Sequence, residues 1–447
     1  KAYYFGTVIN CIALAWVLFA AAKIAEPFLL WHEWLPAVLI QPAVSMVEAV
    51  GVPLTIAGLE DPEVWVKTAN NFLSLVLILG VVALYSASGG LRGVVATDIV
   101  QIAVMALGTF AFTVIVVWEV GGLSSMTDRV YEMFAAGGPG GILPGEILAF
   151  TPGQGKDVTL TFLSLLGLLW LINSVSDGSG YLAQRAMACR SDRDAKTAAV
   201  VFTFTQVLVR SLLWLPLGIG LLVLFPPTAG LAPELVQAER EATYVRGMAE
   251  LLPPGVTGLM LTGMLAALAS TVDTHLNWGA SYWTNDIYKR FICGAWLKRQ
   301  PSGPELVWVA RASNLLILGI ALAIMTQLTS INQAWQINLL FGAGLGVVLV
   351  LRWVWWRMTA WAEIAAIVVS AVIAPVLIFF LDDTQQPLRL LLAATASTTA
   401  ALGMIWIAGP EDRERLTAFY RRVRPLGFWG PIAAGVEDHQ STGPTQL

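Results

Sequence analysis

Runs of about 20 mostly apolar residues recur along the whole chain, and they limit its fold more than any other feature. They fall near residues 6–26, 69–87, 92–119, 158–187, 196–225, 254–288, 305–328, 333–356, 359–381 and 387–408. Each is long enough as a helix to cross a hydrocarbon core of about 30 Å. A hydrophobic content of 57% against 13% charged residues excludes an ordinary soluble domain, and 18 Trp suit a chain with membrane interfaces. The expectation is an all-α polytopic membrane protein with about ten transmembrane helices. The fourth and sixth runs exceed one straight crossing and should tilt or project.

Basic residues set the expected direction. Arg185, Arg190, Arg193 and Lys196 follow the fourth run, and Lys289, Arg290, Lys298 and Arg299 follow the sixth. Arg352 and Arg357 join the eighth and ninth, and five Arg between 413 and 424 follow the tenth. Alternate loops carry acids such as Glu132, Glu146, Asp157, Glu234, Glu241 and Asp382. The positive-inside rule then makes the basic loops and the C-terminus cytoplasmic, in a multi-pass plasma (inner) membrane protein. The expected domains are a transmembrane unit over 1–408 and a cytoplasmic tail over 409–447. That tail could lie on the anionic leaflet, with disorder after about residue 432. Loops 27–68 and 120–157 have room for short interfacial helices. Cys11, Cys189 and Cys293 lack metal-ligand spacing and read as small hydrophobes. The chain shows no soluble catalytic domain and no nucleotide-binding loop, so neither an enzyme nor a nucleic-acid partner is expected.

Ionisable groups at membrane depth are costly, and here they cluster. In GMLAALASTVDTHLNWGASYWTNDIYKRF (263–291), Ser270, Thr274, Asn277 and Ser281 recur at helical spacing, with Ala267, Thr271 and Asp273 alongside. Their hydroxyls can ligate a hard monovalent cation, or simply return hydrogen bonds to their own helix. In YSASGGLRGVVATDIVQ (85–101), Gly89 and Gly90 should break the chain before a new helix starts near Leu91. Asp98 then complements that helix dipole or faces a cation or basic partner. WLINSVSDGSGYLAQR (170–185) places Asn173 and Asp177 before Gly178 and Gly180, where a helix could unwind to meet a ligand or kink. Gln206 and Arg210 lie one turn apart in the fifth run; Arg210 pairs with Asp177 or meets an anionic or polar solute. Asn332, Gln333, Gln336 and Asn338 suggest a polar mouth ahead of the tightly packing FGAGLG. A lone His275 reads as structural.

YSASGGLRGVVATDIVQ, SGYLAQRAMACRSDRDA and STVDTHLNWGASYWTNDIYKRF together resemble the solute:sodium symporter family, in family order. The resemblance implies a LeuT-type inverted five-helix repeat and sodium-coupled uptake of a small polar solute by alternating access. The solute would be a sugar, amino acid or carboxylate, with Na+ as coupling ion. It implies that Ser270 and Thr271 give side-chain oxygens, and Ala267 its carbonyl, to a sodium site with Asp98 near it. Asn173, Asp177, Gln206, Arg210 and Gln336 would sit on helices lining the substrate cavity. The family's first two core helices have no counterpart in these residues and are expected upstream of Lys1. GAGLG stands where the family commonly has a Pro-containing pattern. The alternatives are a non-transporting subunit or sensor of the same fold, or a proton-coupled transporter in which Asp98 or Asp273 titrates.

Overall fold

The computed structural model describes residues 2–55, 61–136, 143–148, 180–228, 233–328, 330–382 and 385–440. Nine helical segments among them are long and apolar enough to cross a membrane. They match nine of the ten expected runs. Most of the remaining run, 158–187, lies outside the described residues, as do Asn173 and Asp177.

Helix α1 (Tyr4–Ala25) is apolar on every face, and a helix of that kind is stable only when surrounded. It runs through the centre of the bundle, with Cys11, Leu14, Ala15, Leu18 and Ala25 fully enclosed. After α2 (Ala37–Val50), α3 carries helical hydrogen bonding from Val64 to Val120. No non-helical residue separates the two halves at Gly89–Gly90, where the break is expected, yet a reversal of direction falls in that stretch. The halves run in opposite directions. Lys67 shares a cavity with Tyr244, whose ring lies 5.5 Å from Phe112. On a straight helix, 45 residues would hold Lys67 and Phe112 about 68 Å apart. Helix α3 therefore doubles back between its two membrane-crossing segments, Val64–Val82 and Val95–Val120.

Helices α4 (Leu123–Met133) and α5 (Tyr181–Met187) lead to α6 (Asp192–Leu224), α7 (Pro233–Leu251) and α8 (Pro254–Trp296). α2 and α4 are the short helices expected in the long loops, whereas α7 had no sequence expectation. From Tyr282 onward α8 widens to i→i+5 bonding, and at 43 residues it outlasts any single crossing. Helices α9 (Gly303–Met325), α10 (Ile331–Val354), α11 (Ala360–Phe380) and α12 (Gln386–Ala408) complete the bundle. Their starts are dictated locally. Ser302 and Glu305 form a reciprocal capping box at α9, Ser330 caps α10 and Thr359 caps α11.

Packing follows small residues. Gly342, Ala343, Gly344, Leu345 and Gly346 are all buried, as expected for FGAGLG. Gly344 abuts Ser370 of α11 and Ser397 of α12, leaving no room for a Cβ. The outer faces stay apolar: Val95, Ile99, Leu107, Phe110 and Val114 of α3 are exposed, as suits a lipid-facing surface. Beyond the bundle, α13 (Arg413–Val423) and α14 (Gly430–Gln440) fold back onto it. The expected disorder after about residue 432 is corrected as far as residue 440, because burial of Ile432 and Val436 holds the helix in place; residues 441–447 lie outside the described residues.

Candidate sodium site

The second half of α3 and helix α8 lie antiparallel, in a register set by glycine. A Cβ on Gly263 would stand 2.9 Å from Met105 Cα, and one on Gly108 would stand 3.1 Å from Met260 Sδ. At Gly263 the facing atoms are backbone, so a side chain there would force the helices apart. Two turns from Met105 lies Asp98, and two turns from Gly263 lies Ser270, so one register brings both to the same level. Ser270 Oγ donates a short hydrogen bond to Asp98 Oδ1. Arg185, from α5, places a guanidinium nitrogen 3.6 Å from Asp98 Oδ2 and donates to Thr274 Oγ1 at 3.0 Å. Asp98 and Arg185 keep side-chain exposures of 29% and 31%, so the pair is only partly enclosed by the bundle.

Thr271 points elsewhere. Its hydroxyl donates to Ala267 O at 2.9 Å. Consecutive helical residues diverge by about 100°, so Ser270 and Thr271 present oxygens on neighbouring sides of α8. The four candidate residues form two separate oxygen pairs, Asp98 with Ser270 and Thr271 with Ala267, on neighbouring sides of α8. Oxygen-only donors suit a hard cation.

The hydroxyl and amide stripe divides. Ser270 and Thr274 reach across to α3 and α5, while Ser281 returns to Trp278 O at 2.8 Å. Asn277 donates to the fully buried Asp273 carboxylate at 2.6 Å. His275 Nδ1 meets Asn10 Oδ1 at 2.6 Å, and Asn10 Nδ2 donates to His275 O at 2.9 Å. This two-way bracket joins α1 to α8 and fits the structural reading of His275.

The expected substrate residues stay apart from this cluster. Gln206 is half-buried, and Arg210 is exposed with no hydrogen bond or ion pair among the described residues. Gln336 contributes only its carbonyl, which accepts from Gln386 Nε2 at 3.1 Å. A cavity of about 860 Å³ opens instead at the other end of α1, lined by Lys23, Lys67, Trp214, Glu241, Tyr244 and Met264. There Glu241 accepts from Lys23 Nζ at 2.9 Å and from the N–H groups of Ile331 and Asn332. Burial opposes ionisation of Glu241, but these donors outweigh it and hold the carboxyl below its usual range.

Sequence reasoning counted Arg185 among the loop charges and missed it as the partner of Asp98. The available signal was the demand of an intramembrane acid for a basic neighbour. Glu241 was likewise placed in an acidic loop, and nothing in its neighbourhood in sequence points to Lys23.

The sodium:solute symporter family model matches residues 68–381. The chain belongs to that family. This chain is 28% identical to the sodium/glucose cotransporter of Vibrio parahaemolyticus over 338 residues, covering 70% of this chain and 60% of that protein. It is 28% identical to the osmoregulated proline transporter OpuE of Bacillus subtilis (strain 168) over 315 residues, covering 68% and 56%. This member of the family thus spans 60% or less of the length of these relatives. Its fold is shared with a solved Na+-coupled sialic acid symporter in a substrate-bound outward-open state. That likeness has a TM-score of 0.56 at 18% identity and covers 92% of this chain and 78% of the other. The expected all-α polytopic class is borne out.

Proposed function

We propose that the chain works as a sodium-coupled symporter that imports a small polar organic solute by alternating access. The contact between Asp98 and Ser270, beside the Thr271–Ala267 oxygen pair, is the observation that carries this reading. Sodium is cargo here, not a resident cofactor. Ser270, Thr271 and the Ala267 carbonyl supply neutral oxygens that replace part of its hydration shell, and Asp98 supplies charge nearby. Arg185 offsets that charge in part, which keeps the site weak enough to release the ion again. Inward movement of one sodium draws about 2.3 kcal/mol per 100 mV from the membrane potential. The basic residues after α8, α10 and α12 put those ends and the tail in the cytoplasm, with the protein in the plasma membrane and 1–408 as the transport unit. A sugar, amino acid or carboxylate fits a family whose relatives are named for glucose and proline.

The test is Thr271→Ala in proteoliposomes. Its hydroxyl bonds only to its own helix, so the folded yield should hold while half-maximal uptake shifts to higher sodium. Unaltered sodium dependence would remove Thr271 from the site. Stabilisation of purified protein against heating by sodium chloride, absent with choline chloride at fixed pH, distinguishes sodium from proton coupling.

A further inference from the structure

At the Arg352 end of the bundle the tail clamps a loop. Phe428 N donates to Val354 O at 2.6 Å within a short parallel bridge between Trp355 and Phe428. Trp429 Nε1 donates to Trp353 O at 2.8 Å, and its ring packs on Phe419 and Tyr420 of α13. Val354 is the last residue of membrane-crossing α10. The clamp therefore pins the corner from Arg421 to Phe428 at the level where that helix leaves the apolar layer.

Two sets of side chains on this corner have no partner among the described residues. Arg421, Arg422 and Arg424 are exposed, and their guanidinium groups make no hydrogen bond or ion pair among the described residues. No acidic residue occurs between Arg415 and Glu437 to balance them. Beside them Leu426 is 87% exposed and Phe428 75%. The apolar surface extends toward the bundle, since Trp356 N–H donates to Phe428 O and the Arg357 guanidinium lies over both the Trp356 and Trp406 rings. Trp406 and Ile407, at the end of α12, are exposed as well. Arg424, with φ 46°, ends α13 in the left-handed region, where Gly is the favoured occupant.

We propose that the Arg421–Phe428 corner is a docking site for anionic phospholipid headgroups of the surrounding leaflet. Leu426 and Phe428 enter the boundary between headgroups and acyl chains, and the three guanidiniums take the lipid phosphates above them. Guanidinium forks match phosphate oxygens, and the aromatic and aliphatic pair fixes depth. Bound lipid then braces the tail against the α10–α11 loop. This inference needs only that α10 crosses a bilayer, and it stands apart from the ion and solute readings.

Hydrogen–deuterium exchange of residues 413–436 tests it, with the full chain in nanodiscs of phosphatidylcholine alone or with added phosphatidylglycerol. Exchange should slow several-fold with the anionic lipid, and high salt should reverse the effect. The triple variant R421Q/R422Q/R424Q should lose the response, and R421K/R422K/R424K should retain most of it. L426S/F428S should weaken it with the charges intact. Equal exchange in both lipids, or an intact response in the Gln variant, overturns the proposal. Protection by inorganic phosphate in neutral discs also overturns it, in favour of a soluble-anion site. Where the Gln variant does not fold, the salt series on wild type decides, and protection unmoved by salt counts against the proposal.

Discussion

Asp98 is the residue on which the ion reading turns. Its two carboxylate oxygens face different partners, a hydroxyl on α8 and a guanidinium on α5. Asp98→Asn keeps the shape and an acceptor for Ser270 but removes the charge. Sodium-driven uptake should then need roughly tenfold more sodium, equivalent to about 1.4 kcal/mol. Uptake with wild-type sodium dependence would show the acid to be structural. Arg185→Gln should act in the opposite sense, tightening sodium and slowing its release, which flux measurements at saturating sodium would report. The two hydroxyls take different partners: Ser270 reaches across to α3, while Thr271 bonds back to its own helix. Spacing alone could not separate them, because both residues belong to the same apolar-to-polar transition in α8.

Among elements, the seams between helices carry the consequences. Gly263→Val places branched carbons against the Met105 backbone, so α3 and α8 must part. Overpacking of this kind costs about 1–3 kcal/mol, and it should raise the sodium requirement by disturbing the Asp98–Ser270 level. A thermal melt with a sodium titration checks both. At the opposite end, Glu241 ties α7 to α1 and to the start of α10. Glu241→Gln leaves Lys23, only 7% exposed, without its counter-charge and should destabilise by about 3–5 kcal/mol. Because the folded carboxyl is held below its unfolded value of 4.5, its stabilisation is present above that pH. It is lost as pH falls through the folded value. The melting temperature of wild type should drop on acidification below about pH 4.5, and the Gln variant should show a shallower drop.

For the whole molecule, a buried central helix, lipid-facing outer surfaces and a folded-back tail make one bundle. The tail docks through Trp429, which is 4% exposed. Trp429→Ala should release α13 and α14 to proteases and leave the bundle intact, as limited proteolysis with intact-mass detection would show. A melting temperature of the bundle that fell with it would mean that the tail belongs to the core.

The apolar runs determined that the chain spans a membrane many times, because no other environment accommodates segments of that length and composition. Local motifs also determined the helix starts at Ser302, Ser330 and Thr359, whose capping needs only neighbours in sequence. Pairings between distant positions were decided by tertiary structure. Arg185 meets Asp98 across 87 residues and Lys23 meets Glu241 across 218, in registers set by side-chain bulk on facing helices. A charge in a loop and a charge in a site read alike in sequence; only packing says which partner lies within reach.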